Sequence, residues 1–427
     1  MEGNIWQKNV ELPKLSDKTK NIIRDVMYLT ALALMVLGGM LRNTMCDFGG
    51  TARYELQLWA KVIIIAKLII FDRKNKLVWL LGVPAIILGK LIYHYYSFDE
   101  AMSLACVAAG AAGVRYDKVA KTYFFTAFSA ISVIIISSLT GAIPDLQYTN
   151  SNSGFLSFNV RHSFGIQYPT DFAGYICFIL IGFYLGFTRV RKLIPLKAAA
   201  GCIIAAVVFL FCLARLDCIC MFLLAIGIIA VCAFDKHFGD EPTGAAKVIK
   251  KIYEQLCIWS MPIFAALFIG LTLAYDLNIP IINKLDSILS GRLYLGAKGF
   301  REHDVHLMGR YFHMSGFGGS TGEVDMSEYF FLDSSYVNCI LRYGLIFVVV
   351  VLAAFVLIGF KYRKDHIILL CSAVAALNFM IAHHLPDVSY NFVIALLAAE
   401  GGIPLRELFS RRKAPAQEQA APAAEGQ

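Results

Sequence analysis

The chain has 427 residues, of which 58% are hydrophobic and only 16% are Asp, Glu, Lys or Arg. Because soluble globular proteins carry about 25% charged residues, this composition excludes an ordinary soluble domain. The formal net charge of +8 does not indicate nucleic-acid binding, because the basic residues lie in short stretches between apolar segments, a pattern typical of membrane topology. The composition predicts an all-α polytopic membrane protein with no nucleic-acid partner.

The apolar segments predict about twelve transmembrane helices, since roughly 20 mostly apolar residues are needed to cross the hydrocarbon core. The fourth segment is short, and the twelfth is interrupted by Gly401, Gly402 and Pro404. No two halves of the chain resemble each other, as the halves of many carriers do. In chain order the segments cover residues 26–42, 56–71, 77–96, 100–114, 122–142, 172–188, 195–214, 217–234, 257–275, 336–360, 366–384 and 388–405.

The Lys and Arg residues predict the orientation of these helices, because cytoplasmic loops carry an excess of both. With the N-terminus inside, every inner segment contains at least three of them, which predicts that both termini are cytoplasmic. The inner residues are Lys8, Lys14, Lys18, Lys20, Arg24, Arg73, Lys74, Lys76, Arg115, Lys118, Lys121, Arg189, Arg191, Lys192, Lys197, Lys236, Lys247, Lys250, Lys251, Lys361, Arg363, Lys364, Arg406, Arg411, Arg412 and Lys413.

This topology divides the chain into five parts. Residues 1–25 form a cytoplasmic N-terminus, and residues 26–275 hold helices one to nine. Residues 276–335 form a large extracytoplasmic loop, residues 336–405 hold helices ten to twelve, and residues 406–427 form a disordered cytoplasmic tail.

Some basic residues lie where topology does not explain them. Arg215 lies at the outer boundary between two apolar segments, and Arg342 lies about two turns into the tenth predicted helix. A charge at membrane depth costs about 2.5–3.5 kcal/mol or more, so such residues usually face a cavity or a partner. We interpret Arg215, together with Arg161 and Arg292, as an anion site, because the guanidinium group matches phosphate oxygens. Snorkelling to the headgroups or pairing with an acidic residue is the structural alternative.

Four short strings carry these residues, and each lies in or beside an outer loop of the predicted topology. They run from Arg161 to Phe172, from Leu213 to Asp217, from Ser287 to Arg292 and from Leu332 to Ile346. In this order, and with the single long outer loop, they resemble the Wzy-type O-antigen and capsular polysaccharide polymerases, a family related to the O-antigen ligases. The resemblance covers most of the chain through topology.

The family patterns are an Arg, Gly and Pro at the entry to a middle helix, a Ser-Arg that opens a helix, a Gly-Arg in the long loop, and an Asp/His-Asn-x-Tyr string followed by Tyr-Gly. This chain departs from them twice, because Ala replaces the Ser and Ser replaces the Asn. The matching residues are Arg161, Gly165, Pro169, Ala214-Arg215, Gly291-Arg292, Asp333 to Tyr336 and Tyr343-Gly344.

The resemblance implies a metal-independent glycosyltransferase with a fold similar to the GT-C type and no cofactor. Its substrates would be oligosaccharide repeat units on polyprenyl (undecaprenyl) pyrophosphate, joined into O-antigen, capsule or exopolysaccharide on the outer face of the bacterial cytoplasmic (inner) membrane. Membrane lipids, a flippase and a chain-length regulator are the implied partners. Two alternatives stay open: an O-antigen-ligase-like transfer of glycan to another acceptor, and a flippase or transporter of lipid-linked oligosaccharide.

A pyrophosphate leaving group departs without needing a proton, but its developing negative charge must be stabilised where it forms. We therefore predict Arg215 and Arg292 as the catalytic clamp. Arg161, Arg310 and Arg342 are predicted as further substrate-binding residues.

The acceptor of this reaction is a sugar hydroxyl, whose proton must be removed as the new bond forms. Asp333 is predicted as the base, because it stands at the carboxylate-or-imidazole position of the family string. His384 and Asp387, in the last outer loop, are the alternatives. Asp333 also suits the N-cap of the tenth helix, and His383-His384 also suits an ordinary polar helix end.

Two tyrosines and one histidine-rich string complete the predicted site. Tyr336 and Tyr311 are predicted to contact sugar by stacking or hydrogen bonding. The string from His303 to His306 is not predicted to bind a metal, because its spacing matches no standard metal site.

Overall fold

The computed structural model describes residues 16–46, 51–96, 99–149, 160–187, 193–239, 242–319 and 329–410. This part of the chain is mainly helical, with one short antiparallel pair of strands, β1 (Gln147–Thr149) and β2 (Val160–His162). The helices are α1 (Asp17–Arg42), α2 (Ala52–Phe71), α3 (Val83–Tyr96, after a π-helical turn at Val78–Gly82), α4 (Glu100–Gly110), α5 (Tyr116–Leu139), α6 (Pro169–Phe187), α7 (Ile194–Cys212), α8 (Arg215–Phe238), α9 (Gly244–Ile258), α10 (Ser260–Leu273), α11 (Pro280–Ile288), α12 (Arg292–Glu302), α13 (Ser335–Arg342), α14 (Leu345–Lys361), α15 (His366–Ile381) and α16 (Leu405–Ser410).

Six helices in the described residues are long and apolar enough to cross a membrane. They are α1, α5, α6, α7, α8 and the stretch that begins with α10 and ends at Leu277. At 1.5 Å per residue, a helix of about 20 residues spans the roughly 30 Å of hydrocarbon. Shorter apolar helices accompany them at Val78–Ile92, α4, α14 and α15. These helices indicate a helical membrane protein, as the composition predicts.

Helix α6 lies at the centre of the bundle. Most of its residues are buried, and it packs against α5, α7, α8 and α15. Helices α7 and α10, in contrast, expose large apolar side chains such as Ile203, Leu210 and Leu267. An exposed apolar face of this kind is suited to contact lipid. The bundle therefore has a protein-lined centre and a lipid-facing periphery.

The tenth predicted helix, residues 336–360, is not continuous. It is divided into α13 and α14 at Tyr343 and Gly344, where Gly344 has a φ of +93°. Arg342 is therefore the last residue of a short helix, and the prediction that it lies two turns inside a continuous span is wrong.

A segment of the preceding loop crosses this break. The N–H groups of Leu345 and Ile346 donate to the carbonyl oxygens of His306 and Leu307 at 3.1 Å. The first N–H groups of a helix have no partner within the helix, so the loop supplies the acceptors that α14 lacks.

The twelfth predicted helix, residues 388–405, is not an α-helix. From the end of α15, the chain between Ala382 and Glu400 runs to the opposite end of the bundle, where Glu400 pairs with Arg115 just before α5. Its regular structure is a 3-10 turn at Phe392–Leu397. Nearly all of its side chains are buried. Non-helical backbone is tolerated at membrane depth only where protein satisfies its polar groups.

The polar groups of this buried segment have such partners. The Tyr123 hydroxyl donates to the carbonyl of Ser389 at 2.7 Å. Lys361 Nζ donates to the carbonyls of Leu396 and Leu397, each at 3.0 Å. Side chains of α5 and α14 therefore replace the hydrogen bonds that an α-helix would make internally.

Other segments also differ from their predicted form. The ninth predicted helix, residues 257–275, is formed mainly by α10, and an additional helix, α9, occupies the segment before Trp259 that was predicted as an inner loop. Residues 276–335 contain α11 and α12, with 320–328 outside the described residues. Also outside lie residues 1–15, the tail from 411 onwards, and the basic residues Lys8, Lys14, Arg189, Arg191, Lys192, Arg411, Arg412 and Lys413.

Candidate functional site

A cavity of about 460 Å³ lies at the end of the bundle where α6 and α8 begin and α15 ends. Its walls come from the strand pair, the α7–α8 turn, the α11–α12 turn and the residues that precede α13. These segments are far apart in the sequence, so only the tertiary fold brings them together. The charged side chains that line the cavity are Arg161, Asp171, Arg215, Asp217, Arg292 and Asp333.

Arg161 is held in place by the strand pair. It lies on β2 opposite Tyr148 of β1, and its Nε donates to the carbonyl of Cys212 at 2.9 Å. Asp145 fixes the chain beyond β2, because its Oδ1 accepts the N–H of Phe164 at 2.8 Å. Burial lowers the pKa of Arg161, and the nearby positive charge of Arg292 also lowers it. Two guanidinium groups from distant segments therefore lie close enough to repel each other.

Arg215 is the first residue of α8. The turn from α7 to α8 is made by Leu213, which has a φ of +50°, and by Ala214. The Arg215 side chain is exposed where it lines the cavity. Asp217 follows within the first turn of α8 but is buried, and its Oδ1 accepts a hydrogen bond from Asn378 Nδ2 at 2.8 Å.

Arg292 is the first residue of α12 and follows a tight turn. Ser290 and Gly291 both have positive φ values, of 58° and 80°. Asp286 supports the turn, because its Oδ1 accepts the N–H groups of Leu293 at 2.8 Å and Tyr294 at 3.2 Å. A carboxylate from the preceding helix thus satisfies two N–H groups that would otherwise lack acceptors.

Backbone carbonyls orient the Arg292 guanidinium. Its Nε donates to the carbonyl of Ile381 at 2.8 Å, and its Nη1 donates to that of Leu289 at 2.9 Å. The Asp333 carboxylate lies 3.5 Å from the same Nε.

Asp333 does not cap the tenth helix, so that reading of the sequence is wrong. Ser334 occupies the N-cap position of α13, and no side chain makes the capping hydrogen bond there. Asp333 instead points towards Arg292 and lines the cavity.

Three tyrosines, Tyr148, Tyr168 and Tyr329, also line the cavity. The Tyr148 hydroxyl donates to the carbonyl of Gln167 at 2.7 Å, and the Tyr168 hydroxyl accepts the N–H of Gly319 at 3.2 Å. Burial raises the pKa of all three phenols, which keeps them uncharged. Aromatic faces beside cationic groups suit a ligand that has both sugar rings and a charged part.

The two alternative bases, His384 and Asp387, do not line the cavity. His384 is buried, and its Nε2 lies 3.3 Å from Asp171 Oδ1, so it meets the cavity only through Asp171. Asp387 Oδ2 accepts a hydrogen bond from Arg42 at 2.7 Å, and its Oδ1 accepts one from the Ser389 hydroxyl at 2.7 Å.

Four of the predicted substrate-binding residues also lie outside the lining. Tyr336 is fully buried, and its hydroxyl donates to the carbonyl of Ala376 at 2.7 Å, so its predicted sugar contact is wrong. Arg310 and Tyr311 are exposed on the large loop away from the cavity. Arg342 lies at the end of α13, where the neighbouring Leu341 carbonyl accepts the Arg310 N–H.

Asp171, Asp217 and His383 line the cavity, although the sequence did not single them out as functional. A usable signal was present for the two carboxylates. Both lie at the start of a long apolar segment, and an ionisable residue in a membrane helix marks a functional site by default. His383 belongs to the His383-His384 pair, of which only His384 was predicted as a functional residue.

Asp171, His383 and His384 are the described residues whose potential metal-ligand atoms come together, all within 4.8 Å of one another. Of this set, the His384 Nε2 and Asp171 Oδ1 atoms are within hydrogen-bond distance. We therefore interpret the cluster as acid–base groups and do not assign these residues as metal ligands. Among the histidines of the large loop, the His303 ring stacks on Phe312 with a centroid distance of 3.9 Å.

A larger cavity of about 670 Å³ lies between α3, α4 and α14, and its lining is almost entirely apolar. Among the described residues that line it, the charged ones are Lys361 and Glu400, at one end. The chemistry is therefore assigned to the smaller cavity. Neither a protein-family model, nor a curated protein, nor a solved structure matches this chain, so the cavity itself carries the functional argument.

Proposed function

We propose that this protein is a Wzy-type polymerising glycosyltransferase that joins polyprenyl-pyrophosphate-linked oligosaccharide repeat units. The convergence of Arg161, Arg215 and Arg292 on one cavity carries the proposal. Three guanidinium groups can bind the several oxygens of a pyrophosphate without a metal, because each offers a planar fork of donors.

The topology that goes with this proposal has twelve crossings, with both termini in the cytoplasm of a bacterium. The cavity lies at one end of the bundle, and the loops rich in Lys and Arg, such as Arg73–Lys76 and Lys361–Lys364, lie at the other. The positive-inside rule then directs the cavity outwards. The twelfth crossing is the buried, non-helical segment from Ala382 to Glu400.

The reaction requires two kinds of group, and both are present in the cavity. The arginines stabilise the negative charge that develops on the departing pyrophosphate. A carboxylate accepts the proton of the acceptor sugar hydroxyl as the glycosidic bond forms. Asp171, Asp217 and Asp333 are the candidates for that carboxylate.

The alternative activities differ in what they require of the charged groups. A ligase would use the same clamp with another acceptor, so it remains the second enzyme candidate. A flippase needs polar groups along a path through the membrane, usually near its midplane. In the described residues the arginines and carboxylates of the cavity lie at one end of the bundle, which favours an enzyme.

Reconstitution tests the proposal. Purified protein in lipid vesicles is supplied with a polyprenyl-pyrophosphate-linked repeat unit, and the products are separated by size. A ladder of lengthening glycans, with release of polyprenyl pyrophosphate, is the expected result. Movement of the lipid-linked sugar across the bilayer without a ladder would replace the polymerase with a transporter. Transfer to a different acceptor would replace it with a ligase.

A further inference from the structure

A chain of four buried side chains lies directly behind the cavity. Asn378 Nδ2 donates to Asp217 Oδ1 at 2.8 Å, and Asn378 Oδ1 lies 3.2 Å from His384 Nδ1. On the other side of the imidazole, His384 Nε2 lies 3.3 Å from Asp171 Oδ1. The two ends of the chain, Asp217 and Asp171, line the cavity, and the middle does not.

The hydrogen-bonding capacity of these groups determines where protons lie. The amide nitrogen of Asn378 is engaged by Asp217, so the amide oxygen faces His384. A carbonyl oxygen can only accept, and therefore His384 Nδ1 carries a hydrogen. In a neutral imidazole the other nitrogen, Nε2, then has a lone pair directed at the Asp171 carboxylate, which is also an acceptor. Two acceptors at this distance repel unless a proton lies between them.

The Asp171–His384 pair thus holds one proton and has room for one more. When the pair takes up a second proton, its two protons can be shared between the carboxyl and the imidazole. This sharing helps the pair to accept a proton from a poor nucleophile such as a sugar hydroxyl. No comparable partner stands behind Asp333 in the described structure, since its neighbour is Arg292. Arg292 Nε lies 3.5 Å from the Asp333 carboxylate and engages it in an ion pair.

The fold fixes the imidazole ring from both sides. One face of His384 stacks on Tyr390, with a centroid distance of 3.8 Å and an interplanar angle of 5°. The ring also packs on the backbone of α6 at Gly174, where a Cβ would lie only 2.4 Å from His384 Cε1. Gly174 is three residues after Asp171 and lies on the same helix face. The absence of a side chain at Gly174 is therefore what lets His384 reach Asp171.

We propose that Asp171 is the catalytic base of the transfer and that His384 is the positioning residue that takes up its shared proton. This inference rests on the proposed function. The O–H bond of the acceptor hydroxyl breaks as its oxygen bonds to the anomeric carbon, and the proton goes to Asp171. The bond from that carbon to the phosphate oxygen breaks, and pyrophosphate leaves with the electron pair towards Arg215 and Arg292.

The proton already shared by the pair moves to His384 Nε2, and the imidazole becomes an imidazolium. Asp217 stabilises this charge through Asn378. The extra proton leaves to water before the next cycle. The charged and titratable groups that face the pair from the surrounding elements are Arg42, Asp217, Arg292, Asp333, His383, Asp387 and the phenols of Tyr148, Tyr168, Tyr175 and Tyr390.

The first test compares two isosteric changes in the vesicle assay with the polyprenyl-pyrophosphate-linked repeat unit. We expect Asp171→Asn to lower kcat by about 10²–10⁴-fold with little change in KM, as for loss of a general base. Asp333→Asn is expected to lower kcat less and to raise KM, because Asp333 helps to position Arg292. Asp171→Glu, which keeps a carboxyl, is expected to retain more activity than Asp171→Asn.

The second test addresses the positioning role through the pH profile. In His384→Gln and in Gly174→Ala, which displaces the ring, we expect kcat to fall by about 10²-fold. The acid limb of the profile should also move to higher pH. The intact pair loses activity only when it takes up a second proton, whereas a lone buried carboxyl loses it on taking up the first. Gly270→Ala is the control, because a Cβ there meets no atom within 4 Å.

Three outcomes separate this inference from the proposed function. Wild-type kcat in Asp171→Asn, with kcat still strongly lowered in Arg215→Ala and Arg292→Ala, would overturn the base assignment and leave the polymerase in place. Inhibition of the wild type by a chelator, reversed by Zn²⁺, would indicate that Asp171 and His384 bind a metal and do not share a proton. If the wild type forms no glycan ladder, the proposed polymerase function is wrong. If Asp171→Asn does not fold, an unshifted acid limb in Gly174→Ala overturns the inference.

Discussion

Backbone carbonyls orient two of the three arginines of the cavity. Arg161 donates to Cys212, and Arg292 donates to Ile381 and Leu289. A carbonyl oxygen directs a guanidinium group without cancelling its charge, whereas a carboxylate would cancel most of it. The charge of Arg161 consequently remains available to an anionic ligand, whereas Arg292 also lies 3.5 Å from the Asp333 carboxylate. The geometry of the donors is set before the ligand binds.

At the residue scale we predict that Arg215→Ala and Arg292→Ala each lower kcat by about 10²–10³-fold, the usual cost of losing one donor to a developing negative charge. The rate at which the glycan ladder forms in the vesicle assay measures kcat of each variant. Arg310→Ala is the matched control, because Arg310 belongs to the same predicted set but is exposed outside the cavity. Equal losses in all three variants would contradict the clamp.

We also predict that Arg292→Lys does not restore activity. A lysine keeps the charge, but its single ammonium cannot donate at once to Ile381, to Leu289 and to a phosphate in the geometry of a planar fork. The expected kcat is at least about 10-fold below that of the wild type. Near-normal kcat in this variant would indicate that charge alone is required at this position.

At the element scale, the start of α12 depends on a carboxylate from the helix before it. Asp286 is buried and accepts the N–H groups of Leu293 and Tyr294, the residues that follow Arg292. The cap therefore stabilises the helix and fixes the clamp residue together. The consecutive positive φ values of Ser290 and Gly291 are the conformational cost of the turn.

We predict that Asp286→Ala lowers the free energy of unfolding by about 1 kcal/mol, the usual cost of a lost helix cap, and also lowers kcat/KM. Thermal unfolding of the purified protein and the vesicle assay measure the two effects. Asp276→Ala is the control, because Asp276 makes an exposed ion pair with Arg301 and such pairs contribute little. The same loss of stability in both variants would argue against a capping role.

A second element depends on a glycine. Gly344 divides α13 from α14 with a φ of +93°, and a Cβ at this position would lie 2.2 Å from the backbone nitrogen of Gly309. Gly344→Ala is expected to cost about 1–3 kcal/mol from backbone strain, and more from the clash. A lower Tm than that of Gly270→Ala, at the same scan rate, is the expected measurement. An unchanged Tm would mean that the loop around Gly309 can move away from the α13–α14 break without a loss of stability.

At the scale of the whole molecule, the cavity and the most basic loops lie at opposite ends of the bundle. Under the proposed function, substrates carried on a polyprenyl lipid would reach the cavity from the plane of the membrane on the outer side. The segment from Ala382 to Glu400 has only one 3-10 turn and is almost entirely buried, so the helices around it cannot separate without exposing its backbone to lipid. The centre of the bundle is therefore expected to be rigid during the reaction.

The orientation gives a prediction that does not depend on enzyme activity. Ser290→Cys, at the exposed α11–α12 turn, is expected to react with a membrane-impermeant maleimide on intact cells. Lys364→Cys, in the exposed α14–α15 turn, is expected to react only after the cells are permeabilised. Most native cysteines are buried and give a low background. Reaction of Lys364→Cys on intact cells would reverse the topology.

The sequence by itself determined the class of the protein and the order of its helices. Apolar segments longer than the membrane is thick have few alternatives to a helix, because water cannot satisfy their backbone there. The same sequence singled out Arg161, Arg215 and Arg292, since a charge beside an apolar segment is costly unless it has a role. Asp333 was singled out by its place in the string that resembles the family pattern.

Only the tertiary structure decided which of the candidate residues share a cavity. It brought Asp171 and His384 together from opposite halves of the chain, and it left Tyr336 in the core and Arg310 on the surface. It also showed an irregular segment with one 3-10 turn where a twelfth α-helix was predicted. Distances between segments far apart in sequence depend on how side chains pack and how buried polar groups find partners, and a linear pattern does not contain that information.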